Sequence, residues 1–327
     1  MNSSIEPLLS THVADFLARH HAIEHNIAVA FSGGIDSMVL LDILHTIILS
    51  KAAPSLVFEA IHVNHHISPN AQSWADFCVA ECEKRRITVT VESVTVDRNS
   101  GAGLEAAARA ARYAALAKSS ARFIATAQHQ DDQAETVLHQ MLRGTGLNGL
   151  AGMGESRALS TSQTLLRPLL KVSRAQIESY AAVRGLQWIE DESNHDTRHT
   201  RNFLRHGVIP IIAERFPHYA DSLARTAQHA AESAELNEAL AMIDLKWNGR
   251  DAFADGLDAL PMARQCNALY YWLRWQNMAL PSHAQLETWA GQIFRDAPES
   301  KPHQAGGHDF LICRKQGKLI LKMAGMP

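Results

Sequence analysis

The sequence predicts a doubly wound α/β domain followed by a smaller, mostly helical one, and three observations carry that prediction. Short β-branched or aromatic runs alternate with helix-length segments over the first two thirds of the chain. Polar clusters follow those runs directly. Past Phe216-Pro217 the pattern turns rich in Ala, Leu and Glu. Strands separated by helix-length segments form βαβ units and hence a parallel sheet. Such a sheet takes its ligands beyond the carboxyl ends of its strands, at the topological switch point.

In chain order, strands are predicted at Ile27–Phe31, Leu56–Val63, Ile87–Val94 and Phe123–Ala127. Helices are predicted between and after them, at Met38–Ser50, Ala71–Arg86, Leu104–Ser119 and Ala134–Arg143. The polar clusters Ser32–Ser37, His62–Asn70, Asp97–Gly103 and Gln128–Asp132 fall at the strand ends, where this fold class places ligands. Tyr219–Lys246 reads as one long helix, followed by helical stretches at Leu257–Met278 and Ser282–Phe294. The last element is a hairpin, Asp309–Arg314 and Lys318–Lys322, turning at Gln316-Gly317. The domain boundary is therefore expected near residue 216, giving domains 1–216 and 217–327.

A chain of 327 residues with 46% hydrophobic residues suits two cores. Its 18 Gly and 11 Pro without internal repeats exclude collagen, low-complexity and coiled-coil classes. With 31 Lys+Arg against 34 Asp+Glu the net charge is −3, which argues against indiscriminate coating of nucleic acid. Local basic faces remain compatible with it, because steering depends on where charge sits. The four cysteines show neither a disulfide framework nor metal-ligand spacing, so reduced thiols are expected. No basic start precedes an apolar run at the N-terminus, and Met38–Leu49 is too short and too polar to span a bilayer. A cytoplasmic protein without membrane association is expected.

The strongest chemical signal is Ser32-Gly33-Gly34-Ile35-Asp36-Ser37, placed after the first strand and opening a helix. Paired glycines let the backbone approach a ligand, and successive amides at a helix N-terminus form an anion-binding nest. The lysine of the G-x-x-x-x-G-K-S loop is missing. An acidic residue stands in the loop instead, which fits a pyrophosphate held by amides with Asp36 beside a magnesium ion.

This hexapeptide resembles the PP-loop of the ATP-pyrophosphatase superfamily, and other motifs narrow the resemblance to the bacterial tRNA(Ile)-lysidine synthetase family. They are Val63-Asn64-His65-His66, then Glu105-x-x-x-Arg109-x-x-Arg112-Tyr113, then Thr126-Ala127-Gln128-His129-x-Asp131-Asp132-Gln133-x-Glu135-Thr136. The run Leu142-Arg143-Gly144-Thr145-Gly146-x-x-Gly149-Leu150-x-Gly152-Met153 follows. Arg167-Pro168-Leu169-Leu170, Asp191-x-Ser193-Asn194 and Arg201-Asn202-x-x-Arg205-His206 with Pro210 complete the set, in the family's order. The resemblance implies a Rossmann-like, adenine nucleotide α hydrolase-like sheet with helices on both faces. It covers residues 30 to 210, and the helical remainder matches by position and size alone.

The resemblance also implies roles. Ser32, Gly33, Gly34, Ile35, Asp36 and Ser37 would bind ATP. Asp36, Arg109, Arg112 and Asp132 would act in catalysis, the arginines neutralising charge on the ATP phosphates. Asp36 and Asp132 are candidates both for a magnesium ion and for the proton taken from a lysine nucleophile. Arg143, Arg201, Asn202 and Arg205 would contact tRNA. Residues 143–174 carry five basic groups against Glu155 alone, a second basic group spans 195–206, and a third closes the chain at Arg314, Lys315, Lys318 and Lys322. Such segregation points toward a polyanion.

The implied reaction joins free L-lysine to C2 of the wobble cytidine in the CAU anticodon of a minor tRNA(Ile), through an ATP-dependent adenylated cytidine. It releases AMP and pyrophosphate and changes decoding from AUG to AUA. Two alternatives stand beside it: a tRNA 2-thiolation enzyme, which needs cysteines at the site, and a nucleotide-dependent tRNA-binding module without chemistry. The sequence leaves a homodimer open.

Overall fold

The computed structural model describes residues 5–50, 53, 55–96, 103–192, 196–296, 303–304 and 310–323. The chain divides into two compact units, Met1–Ala227 and Gln228–Pro327. The division falls within the long helix, later than residue 216.

In the first unit, helix α1 (Ile5–Arg19) precedes strand β1 (Asn26–Ala30), α2 (Ile35–Leu49), β2 (Val57–Asn64), α3 (Ala71–Arg85), β3 (Val89–Ser93), α4 (Leu104–Leu116) and β4 (Phe123–Ala125). Then come α5 (Gln130–Leu142), a one-turn α6 (Leu147–Leu150), β5 (Ser156–Ala158), β6 (Thr164–Leu166) and α7 (Arg174–Arg184). Short helices α8 (Thr200–Phe203) and α9 (Ile209–Arg215) flank a π-helical turn at Leu204–Val208. The six strands lie in the order β3-β2-β1-β4-β6-β5, all parallel except the edge strand β5.

The chain leaves β1 toward β2 and β3, then returns to place β4 on β1's other side. The switch point is therefore between β1 and β4, and the polar segments after these strands share one crevice. Alternate residues face opposite sides. Ile27, Val29, Phe123, Ala125 and Leu166 pack in a large core with α1, α2 and α7. Ala28, Ile124 and Leu165 face a smaller core with Leu116 and Tyr113 of α4. Helix α2 is almost wholly buried, which explains its continuous apolar run. Its buried Asp42 accepts hydrogen bonds from Arg184 Nε (2.9 Å) and Tyr180 Oη (3.1 Å), which offset its desolvation. Among the described residues no helix is long and apolar enough to cross a membrane.

Helix α10 (Tyr219–Asp244) leads into the second unit, where α11 (Met262–Trp275), α12 (His283–Ala290) and a π-helical turn at Gly291–Asp296 pack against strands β7 (His303–Gln304), β8 (Phe310–Lys315) and β9 (Lys318–Met323). Strands β8 and β9 pair from Phe310↔Met323 to Lys315↔Lys318, closing on Gln316-Gly317. Asp309, expected to open this hairpin, lies outside the described residues. Leu257–Met278, expected as one helix, is broken: a single 3₁₀ turn covers Leu257–Ala259, and Pro261 caps α11. Proline fits at a helix start but not in its interior.

Candidate active site

Gly33 and Gly34 turn the chain from β1 into α2. Gly33 has φ +84°, where an L side chain is strained, and a Cβ there would lie 2.5 Å from Ile189 Cδ1, so the Ile189 side chain would have to move. Its carbonyl accepts from Ile189 N (2.9 Å). Ser37 Oγ donates to Gly34 O (2.9 Å), lies 3.1 Å from Ser32 Oγ and accepts from Ser32 N at 3.3 Å. The serines thus lock the loop on itself. The first helical bond is Met38 N to Gly34 O, so the N–H groups of Ile35, Asp36 and Ser37 precede the helical ladder. These free amides at a helix N-terminus favour anions.

Across the switch point, α5 begins at Gln130 with His129 as its N-cap. Buried His129 carries its Nε2 3.7 Å from Asp36 Oδ1 and 3.5 Å from Asp132 Oδ2. One imidazole therefore spans the two carboxylates proposed from sequence. Asp132 Oδ2 also accepts from His129 N (3.1 Å), which fixes it at the third residue of the helix. Its neighbour Asp131 lies 3.7 Å from the other ring nitrogen, His129 Nδ1, and accepts from Arg174 N (2.8 Å) and Tyr219 Oη (3.1 Å). Gln128 accepts a hydrogen bond from Thr126 Oγ1.

Two arginines complete the cluster. Arg174 Nη1 donates to Asp36 Oδ1 (2.8 Å), and its Nε to Glu178 (2.8 Å). Arg205 Nη2 donates to Asp132 Oδ1 (3.0 Å) while Nε and Nη2 grip buried Glu135 at 2.5 and 3.0 Å. Burial pushes Asp36 above the usual carboxylate range, opposed by the charges of His129 and Arg174. Burial likewise raises Glu135 against its bonds to Arg205.

Sequence reasoning placed His129 and Glu135 in the motif after the fourth strand without a role in this cluster, and counted Arg174 only in a basic segment. The signal for Arg174 was present: Ser173-x-x-Gln176 is a capping box and Gly185 a left-handed C-cap, which together define α7 and put Arg174 at its first position. For Glu135 the signal was its spacing of three from Asp132 on one helix face.

Other predicted residues lie elsewhere. Arg205, expected at tRNA, is engaged with Asp132 and Glu135. Arg109 stacks its guanidinium 5.2 Å from the Tyr113 ring centroid, and Arg112 is solvent-exposed on the same helix. Arg143 is exposed at the C-cap of α5. Arg201 Nη2 donates to Thr136 Oγ1 (3.4 Å) and Asn202 Nδ2 to Asp196 O (3.0 Å). Ser193, Asn194, the Asp97–Ala102 segment and the side chain of Glu105 lie outside the described residues.

The basic clusters are partly neutralised, one by the acid within it and another by acids distant in sequence. Lys171 meets Glu155 at 2.6 Å, Arg314 meets Asp255 at 3.2 Å and Lys318 meets Asp251 at 3.1 Å. The glycine-rich residues 144–152 contain the single turn α6. Gln133 pins the end of this segment with Nε2 to Met153 O (3.0 Å) and Met153 N to Oε1 (2.8 Å).

Comparison with known proteins adds independent findings. A model of the PP-loop domain matches residues 6–212, and a model of the TilS substrate binding domain matches residues 254–320. Curated tRNA(Ile)-lysidine synthases are similar over most of the chain. The one from Azoarcus sp. is 41% identical over 301 residues, covering 90% of this chain and 64% of that protein. The one from Actinobacillus pleuropneumoniae is 39% identical over 315 residues, covering 93% and 71%. The one from Burkholderia pseudomallei is 43% identical over 291 residues, covering 86% and 58%. The chain thus spans roughly two thirds of these relatives' length. Among solved structures, the U34-tRNA thiolase NcsA from Methanococcus maripaludis shares the fold, with TM-score 0.59, 19% identity, and coverage of 70% of this chain and 80% of that one.

Proposed function

The chain belongs to the tRNA(Ile)-lysidine synthase family, and from that membership and the cleft geometry we propose that it attaches L-lysine to the wobble cytidine of a minor tRNA(Ile) with a CAU anticodon. The observation that carries the reading is the junction of an amide nest with a cluster of carboxylates and arginines across one switch point.

The nest at Ser32–Ser37 holds the β- and γ-phosphates of ATP, and Arg174 faces the charge that grows when pyrophosphate leaves. The C2 oxygen of the cytidine attacks the α-phosphorus, forming an O–P bond as the bond to pyrophosphate breaks. The lysine ε-amine then forms a bond to C2, and the C2–O bond breaks to release AMP. An ammonium is no nucleophile, so a proton must leave lysine first. Asp36 and Asp132, which flank His129, are the candidate acceptors. Glu135, fixed by Arg205, holds the ammonium by charge before transfer. Arg112 on α4 is assigned to the ATP phosphates, while Arg109, which the resemblance also assigned there, packs on Tyr113 and is assigned to the RNA with Arg143, Arg201 and Asn202.

The donor set fits a divalent cation such as magnesium, which favours one or two carboxylates beside substrate phosphates. Asp36 and Asp132 would hold it, and when bound it would neutralise charge on the triphosphate. An anticodon loop presents its bases without breaking a duplex, which suits a cleft of this kind. The protein works in the cytoplasm on this reading.

Sulfur transfer is disfavoured by the cysteines. Cys78 packs beneath the PP-loop and burial pushes its thiol far up, while Cys82 is pushed up to about 11 by burial. Neither supplies a thiolate at neutral pH. A binding module without chemistry would not need two carboxylates gathered on one imidazole. The test is incubation with tRNA(Ile), ATP and labelled lysine. Label on the RNA supports the proposal, and label arriving only from a sulfur donor refutes it.

A further inference from the structure

Outside the carboxylate cluster, three arginines from separate elements gather on one tyrosine. Arg109 of α4 and Arg157 of β5 hold their guanidinium carbons 5.2 and 5.0 Å from the Tyr113 ring centroid. Arg167, directly after β6 and only 3% exposed, sits close enough to hydrogen-bond Tyr113 and to feel the charges of Arg157 and Arg109. Its Nη1 donates to Gly154 O (2.7 Å), while its Nε is buried without a partner.

Among the described residues no carboxylate pairs with any of the three. The contrast with the rest of the cleft is sharp, since Arg174 and Arg205 each hold a carboxylate at 3.0 Å or less. A buried guanidinium without a counter-charge is costly, and two like charges on the same ring add to that cost. Cation–π contact with tyrosine relieves only a small part of it. Among the described residues the group is short of an anion.

Strand β6 runs parallel to β4, so Arg167 leaves the sheet on the edge where Gln128–Asp132 also emerges. Arg157 lies on the exposed edge strand β5. The group therefore extends from the cleft rim toward the sheet's open edge. The ATP phosphates have their own nest after β1, and the tyrosine ring is already covered by guanidinia, which disfavours stacking of a base.

We propose that Arg109, Arg157 and Arg167, gathered on Tyr113, form a phosphate subsite that takes a backbone phosphodiester of the RNA near the reacting base. This rests on the tRNA-modifying reading and adds to it a site that sets the register of the strand. Guanidinia present paired donors to phosphate oxygens, which a lysine cluster does not.

The test measures tRNA(Ile) binding by the full chain across a salt series, with ATP affinity measured separately. Arg157 is exposed, so Arg157→Gln leaves the fold intact. It is expected to weaken tRNA binding about tenfold at low salt and to reduce the slope of log affinity against log salt by about one. Arg157→Lys is expected to keep the slope, and ATP affinity is expected to stay constant in both. An unchanged slope in Arg157→Gln overturns the subsite. Loss of ATP affinity with an unchanged RNA slope overturns it too, assigning the arginines to nucleotide. Lysine attachment by the wild type is read independently, so failure of the modifying function and failure of the subsite give different results.

Discussion

Arg174 Nη1 donates to Asp36 Oδ1 at 2.8 Å, tying the first turn of α7 to the first turn of α2 beside the PP-loop. The pair is partly open to solvent, at 40% and 31% side-chain exposure, so its worth to stability is small. Arg174→Ala is expected to change unfolding free energy by less than about 1 kcal/mol. The same change is expected to lower ATP-dependent AMP release by roughly 100-fold, because a cation aimed at developing phosphate charge is lost. Denaturant titration and AMP assays on one preparation separate the two effects.

Arg205 and Glu135 have the opposite balance. Glu135 is 3% exposed and depends on Arg205 for both of its oxygens. Arg205→Ala strands that carboxylate and is expected to cost about 2 kcal/mol, discounted because the arginine is itself partly exposed. Restoring neutrality with Glu135→Gln in the same chain is expected to recover part of the loss. A double-mutant cycle in urea reads the coupling, and additivity would show that the pair is not the source.

These two relationships mark what the sequence could and could not reveal. The strand–helix order was legible because β1, β2 and β4 are short apolar runs, largely buried on both faces, separated by helix-length segments. The PP-loop was legible because a glycine pair, two serines and an acidic residue fall at one strand end. The pairings Asp36–Arg174 and Glu135–Arg205 span 138 and 70 residues, and no local pattern encodes them. Strands β5 and β6 were missed for a related reason: three residues each is too short for a period to register, and they are held by pairing, β6 with β4 and β5 with β6. The C-terminal basic stretch looked free because its acidic partners, Asp251 and Asp255, are remote in sequence.

His65 sets a pH dependence. Both of its ring nitrogens are buried without partners, and burial, with the Arg112 and His62 charges adding to it, holds its pKa down to about 4 from 6.5. Between those values the unfolded chain binds a proton that the folded chain refuses, so stability falls as pH drops from 6.5 toward 4. Thermal midpoints over this window should decline, and His65→Asn should flatten the slope. An identical slope in the variant would assign the decline to other groups.

Gly33→Ala tests the loop. The new Cβ would meet Ile189 at φ +84°, where an L side chain is strained. A loss of about 1–3 kcal/mol in stability is expected, with ATP affinity reduced at least tenfold because the nest must open. Calorimetry with ATP checks this. Gly146→Ala is the control, since a Cβ there has open space.

The central claim is that one cleft joins adenylation to lysine transfer. Its most direct measurement is a single-turnover reaction of wild type and Asp36→Asn with tRNA(Ile), ATP and labelled lysine, following AMP and RNA-bound lysine together. The wild type is expected to release one AMP for each lysine attached, and Asp36→Asn to form neither product at a measurable rate while still binding tRNA. AMP release without lysine on the RNA, or full activity in Asp36→Asn, would contradict the account.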